Sequence, residues 1–123
     1  MFGMGKVLIV DDTPSQLALM TKVVEGLGHI AFPAGDGESC LVLARLERPD
    51  LILMDVVMPH MDGFNACRRL KREDDTAGIP IVIVTTKDKD SDKFWAQRQG
   101  ANAFLTKPYT PDALKSVIRQ FLP

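Results

Sequence analysis

Three short runs of unbroken aliphatic side chains, "VLIV" (7–10), "LILM" (51–54) and "IVIV" (81–84), constrain the fold of this chain more than any other feature. Four residues make barely one helical turn, and nothing polar interrupts them, so each run reads as a strand covered on both faces. Two weaker runs, "IAF" (30–32) and "AFL" (103–105), bring the number to five. The segments between them carry helical spacing. Leu17, Met20, Val24 and Leu27 form one stripe, Phe64, Cys67 and Leu70 a second, and Leu114, Val117, Ile118 and Phe121 a third. Segment 87–99, "KDKDSDKFWAQRQ", is the least apolar, and only Phe94, Trp95 and Ala96 there are candidates for the core.

Helix ends are marked as well. Thr13-Pro14-Ser15-Gln16 offers a capping hydroxyl, proline at the first helical position and a glutamine to close a capping box. Thr110-Pro111 repeats the cap and proline, while Gly28 and Gly100 follow helical segments as C-terminal stops. Five strand–helix units with short connections specify an α/β fold: a doubly wound, parallel five-stranded sheet with helices on both faces. Right-handed crossovers leave few topologies, of which strand order 2-1-3-4-5 suits five strands best.

The chain's 123 residues suffice for one domain and core. With a net charge of −1, no overall excess draws it toward nucleic acid or an acidic membrane; a partner must be recognised by a local patch. No apolar run approaches a membrane span, and "MFGMGK" is too short and weakly apolar for a secretory signal, so cytoplasmic residence is expected. Cys40 and Cys67 lack metal-ligand spacing and read as reduced, buried small hydrophobes rather than a disulfide. His29 and His60 fall in turns, outside any ligand cluster, and read as solvated.

An open parallel sheet binds ligands beyond the carboxyl ends of its strands, where strand order reverses; here that is between the first and third strands. Asp11 and Asp12 follow the first strand, Asp55 ends the third, Thr85 and Thr86 end the fourth, and Lys107 with Pro108 follows the fifth. Each has an ordinary reading alone: a helix cap for the aspartates, a turn residue for Asp55, strand positions for the threonines, a solvated lysine. Their arrival at strand ends of the same polarity favours a joint reading. Three carboxylates crowded into a partly dry cleft repel one another, and a divalent cation relieves this. Oxygen ligands with room for water suit Mg²⁺. Asp55 then serves as a carboxylate nucleophile toward phosphorus, with Lys107 and Thr85 placed to meet the equatorial oxygens.

"VLIVDD", "LILMDVVMPHMDG", "IVIVTTK" and "AFLTKP" together resemble the signature segments of response-regulator receiver domains, the CheY-like superfamily with a flavodoxin-like fold, whose strand order is also 2-1-3-4-5. The resemblance spans essentially the whole chain. It implies Asp55 as phosphoacceptor, Asp11, Asp12 and Asp55 with the Val57 carbonyl as Mg²⁺ ligands, Thr85 as switch hydroxyl, Lys107 as phosphate-pairing lysine, and a cis Lys107–Pro108 bond. It implies a self-phosphorylating acceptor with slow autodephosphorylation rather than an enzyme, and a histidine kinase or phosphotransfer domain as donor. Thr85 would move toward the phosphate and Phe104 rotate inward, altering the face of the fourth helix, fifth strand and fifth helix that binds a downstream protein. Trp95 belongs to that face or covers the sheet. "VTTKDKDSDKFWAQRQGANAFLTKP" is most similar to the stand-alone PilH-type regulators of type IV pilus (twitching) chemosensory systems.

Some positions depart from the commoner chemotaxis pattern. Phe104 stands where tyrosine is frequent and Thr86 where alanine is, while Val57 and Lys87 flank the route of a hydrolysing water. A single receiver domain over 1–123 is expected, monomeric or weakly dimeric, with no output domain after residue 123. An excised receiver and a phosphate sink for a sister regulator are the alternatives. An aspartyl phosphatase of the haloacid-dehalogenase kind would place its nucleophile at the end of the first strand in a D-x-D arrangement, whereas the candidate nucleophile here ends the third; a nucleotide-binding relative would carry a glycine-rich loop after the first strand, and none follows it. A receiver that only docks, without taking phosphate, is opposed by the full acidic set with Thr85 and Lys107.

Overall fold

The computed structural model describes residues 4–123. Its elements alternate without exception: β1 (Lys6–Val10), α1 (Pro14–Gly26), β2 (Ile30–Ala34), α2 (Gly37–Glu47), β3 (Leu51–Met54), α3 (Gly63–Arg72), β4 (Ile81–Thr85), α4 (Asp90–Arg98), β5 (Ala103–Thr106) and α5 (Pro111–Phe121). All pairings are parallel, and the strand order is β2-β1-β3-β4-β5, as the sequence predicts. Strand alternation divides the aliphatic runs between two cores. Leu8, Val10, Ile52, Met54, Ile81 and Ile83 face α2, α3 and Ala96 of α4. Val7, Ile9, Leu51, Leu53, Val82 and Val84 face Met20, Val23 and Val24 of α1 and Leu114 and Ile118 of α5. Pro33 is tolerated in β2 because that strand lies at the sheet edge.

The helix signals hold unevenly. Thr110 Oγ1 accepts from Ala113 N at 3.1 Å, and Gly28 and Gly100 adopt φ of 89° and 100°, as C-terminal stops do. The capping box expected at Thr13 does not form: Thr13 is the N-cap by position, but its hydroxyl caps nothing. Its backbone N–H instead donates to Asp11 Oδ1 at 2.9 Å, which holds it in the carboxylate site. In α4 only Ala96 is buried, whereas Phe94 and Trp95 are both exposed, edge-to-face at 6.4 Å. A nine-residue helix resting on the sheet through a single small side chain turns its neighbours, each about 100° away per residue, outward. Trp95 therefore does not cover the sheet. His29 is not simply solvated, since its Nδ1 accepts from Gly5 N at 2.9 Å. His60 is exposed and takes φ 69°, a left-handed conformation in the β3–α3 loop. No helix among the described residues is long and apolar enough to cross a membrane.

Candidate functional site

β1 and β3 are adjacent and in register, Val10 opposite Met54, so the next residue on each strand arrives at the same point on the sheet's carboxyl edge. Those residues are Asp11, fully buried, and Asp55, 6% exposed. From the far side of β4, Lys107 reaches across, its Nζ donating to Asp11 Oδ2 at 2.5 Å and to Asp55 Oδ2 at 2.9 Å. The second oxygen of each carboxylate is also used: Asp11 Oδ1 accepts from Thr13 N, and Asp55 Oδ1 from Val57 N at 3.0 Å. Both acids are thus fixed by one backbone amide and one shared ammonium. Burial works against the Lys107 charge, but the hydrogen bonds it donates to Asp11 and Asp55, and the charges on those carboxylates, outweigh it and hold the ammonium above the ordinary lysine range.

Thr85 ends β4 with no exposed surface, and its Oγ1 accepts from Lys87 N at 3.4 Å. Lys107 N donates to Thr85 O at 2.7 Å, tying the lysine's backbone to the hydroxyl-bearing residue. Thr85 lies opposite Thr106 and Ile83 opposite Phe104, so Thr85 and Phe104 share one face of the sheet, offset by two residues in register. Phe104 is half-buried and, with Lys93, Ala96, Gln97 and Ala101, lines a cavity of about 220 Å³. The Lys107–Pro108 bond is cis. Thr86, Lys87, Val57 and Pro108 are exposed around the rim.

The expected convergence of three carboxylates reduces to two. Asp12 is exposed, because consecutive residues leaving a strand point to opposite sides. Among the described residues no three His, Cys, Asp or Glu side chains stand close enough to hold a metal by themselves. The donor chemistry nonetheless fits Mg²⁺: two hard oxygens converge on one positive charge, the exposed Asp12 follows Asp11 directly in the chain, and Mg²⁺ characteristically takes one or two carboxylates and keeps waters.

Three contributors escaped the sequence reading. Gly63 N donates to Val56 O at 3.1 Å, and the glycine lies directly against the Asp55 carbonyl; the "DG" pair looks like a turn and gives no hint of this contact. Gln16 Oε1 and the Tyr109 hydroxyl are both buried without a partner among the described residues, and both residues line a cavity of about 280 Å³ that also touches Leu19, Thr86 and Lys107. The cysteines carry no site chemistry. Burial pushes the Cys40 thiol up to about 12 and the Cys67 thiol to about 11, so neither is a thiolate at neutral pH.

A family model described as the response regulator receiver domain matches residues 7–119. The protein PilH of Pseudomonas aeruginosa is 44% identical over 119 residues, which cover 97% of this chain and 98% of PilH. The alkaline phosphatase synthesis transcriptional regulatory protein PhoP of Bacillus subtilis is 35% identical over 95% of this chain, which spans only 48% of PhoP's length. The structure superposes on the Vibrio cholerae chemotaxis protein CheY4 with a TM-score of 0.92 at 31% identity, covering 98% of this chain and all of CheY4. It also matches, at TM-score 0.89 and 25% identity, the receiver domain of a sensor histidine kinase from Pseudomonas aeruginosa PAO1 solved with a magnesium ion in its active-site cleft; coverage is 98% of both chains.

Proposed function

The chain belongs to the response regulator receiver domain family, and from that premise we propose that it is a phosphoryl-accepting switch whose acceptor is Asp55. The observation that carries this reading is the buried Asp11–Lys107–Asp55 bridge at the carboxyl edge of the sheet. An Asp55 carboxylate oxygen attacks the phosphorus of a phosphohistidine on a kinase or phosphotransfer domain. The new P–O bond forms as the P–N bond breaks, and the electron pair leaves on the imidazole nitrogen. Asp11, Asp12 and Asp55 with the Val57 carbonyl would hold Mg²⁺, which when bound neutralises charge on the incoming phosphoryl group. Lys107 passes from a carboxylate oxygen to a phosphate oxygen, and the Thr85 hydroxyl donates to another.

As Thr85 turns toward the phosphate, it leaves the sheet face it shares with Phe104. The ring moves into that space and reshapes the α4–β5–α5 surface, where exposed Phe94 and Trp95 await a downstream protein. Phe104 has no hydroxyl, so its inward rotamer is held by packing alone. The 44% identity to PilH over nearly its whole length supports a place among the PilH-type regulators of pilus signalling.

The test is chemical. With Mg²⁺ and acetyl phosphate the intact protein gains one phosphate, labile to base, and borohydride reduction of the acyl phosphate converts residue 55 to homoserine. Label on another residue, or none in the presence of Mg²⁺, refutes the assignment. Multiple turnover of a small phosphomonoester would instead revive the phosphatase reading.

Val57 adds a second expectation. It is exposed beside Asp55, and its isopropyl group offers a hydrolysing water neither donor nor acceptor. Val57→Asn therefore dephosphorylates faster than wild type, followed as decay of the phosphorylated mass after the donor is removed. An equal or slower decay removes Val57 from the account of phosphate lifetime.

A further inference from the structure

The α2 helix leaves an apolar stripe uncovered at the sheet's β2 edge, far from β5 and α4. Leu46 is 71% exposed, more than any other large apolar side chain among the described residues, and Val42, one turn earlier, is 57% exposed. Residues four apart share a helix face, so Glu38, Val42 and Leu46 form one line, with Arg45 beside it. At the start of that line lies a cavity of about 420 Å³ bounded by Pro33, Ala34, Glu38, Ser39, Val42 and Leu43. An apolar knob and an open hollow of mixed lining, with Glu38 and Ser39 beside Pro33, Ala34, Val42 and Leu43, thus sit two turns apart on the same helix.

We infer that this face is the contact between two copies of the chain, with α2 packed antiparallel on α2 about a two-fold axis at Val42. The two-fold exchanges positions that sum to 84, which brings Val42 against Val42 and Leu46 of each copy over Glu38 and Ser39 of the other, at the mouth of the cavity. An isologous contact requires this self-complementarity, in which residue i meets j and j meets i. The charges agree with it. Arg45 of one copy falls beside Ser39 and Glu38 of its partner, and its guanidinium has five N–H donors, of which Glu73 takes two. Parallel packing would set Glu38 on Glu38 and leave both cavities unfilled. Two short helices bury less than the roughly 1,200 Å² of a stable interface, so the dimer is weak, with a Kd on the order of 0.1 mM. It covers neither the Asp55 site nor the α4–β5–α5 face.

Sedimentation velocity from roughly 10 μM to 1 mM spans that affinity. The wild-type coefficient rises with concentration. Leu46→Glu, which sets two carboxylates face to face, weakens association at least about tenfold. Glu38→Lys combined with Leu46→Glu reverses the charge opposite and restores it. Leu46 is exposed, so these variants keep the monomer fold, and unchanged circular dichroism confirms it. A wild type that stays monomeric throughout overturns the inference and leaves the stripe to a different protein. Association that ignores Leu46→Glu, or a double variant no better than the single one, overturns it equally.

Discussion

Lys107→Met loses about 2–4 kcal/mol of folding stability in the absence of divalent cations, measured by urea unfolding at neutral pH. The lysine side chain is 9% exposed, and its nitrogen is the only cationic group bonded to Asp11 and Asp55 among the described residues. Methionine fills a similar volume but leaves two buried carboxylates facing each other unpaired, the situation in which breaking a buried pair is costly. Each acid keeps one backbone N–H, from Thr13 and from Val57, which keeps the loss below the upper end of that range. Exposed ion pairs offer the contrast: removing Arg48, whose Nη2 lies 3.6 Å from Asp75 with both side chains largely in water, changes stability little. Two further measurements separate a charge effect from simple repacking. Adding Asp55→Asn to Lys107→Met recovers part of the loss, because one of the two orphaned charges is gone. Millimolar Mg²⁺ stabilises Lys107→Met more than it does wild type, because the cation replaces the ammonium. A loss under about 1 kcal/mol, or a variant indifferent to Mg²⁺, would show that the bridge does not hold the site together.

The same bridge shows what the sequence made legible. Solid aliphatic runs ending in Asp11, Asp55 and Thr85 state both the sheet and the polarity of its ends, since parallel strands bring every carboxyl end to one edge. Lys107, 96 positions from Asp11, could be placed beside it from topology alone. Side-chain direction could not. Whether Asp12 turns in beside Asp11 depends on how the chain leaves β1, and hydrophobic periodicity is silent there. Phe94 and Trp95 misled for a related reason: in a short, mostly polar helix the core-facing side is set by one alanine, which large aromatics outweigh in any hydrophobic pattern. The second helix carries its own start signal in Asp36, whose Oδ1 accepts from Ser39 N at 2.7 Å, but its apolar residues lie on both the buried and the exposed side. Its outer stripe is therefore invisible as a separate surface until the sheet fixes which side is inner.

Gly63→Ala is the substitution in which fold and site fail together. An added Cβ would lie 2.2 Å from the Asp55 carbonyl oxygen and 2.7 Å from Val56 Cα, distances that no side-chain rotation relieves because both atoms are backbone. The glycine's φ is not in the left-handed region, so closeness rather than conformational freedom requires it. The N-terminus of α3 sits directly on the end of β3, and Asp62 Oδ1, accepting from Asn65 N, caps the helix from the adjoining position. Alanine forces the first turn of α3 away from Asp55 or the strand end away from α3. Either movement breaks the Gly63 N–H to Val56 bond and shifts the Asp55 carboxylate relative to the Lys107 ammonium. Overpacking of this kind costs typically 1–3 kcal/mol, and against unyielding backbone the upper value, about 3 kcal/mol, applies. Phosphorylation by acetyl phosphate then slows by at least tenfold in the fraction that remains folded, since a displacement of about 1 Å costs on the order of a hundredfold in rate. Gly35→Ala and Gly78→Ala are the matched controls, as an added Cβ meets nothing within 4 Å at either position and neither φ is positive. They leave the phosphorylation rate unchanged. If Gly63→Ala unfolded at the same urea concentration as those controls and accepted phosphate as fast as wild type, the close seat of α3 on Asp55 would have no part in shaping the acceptor.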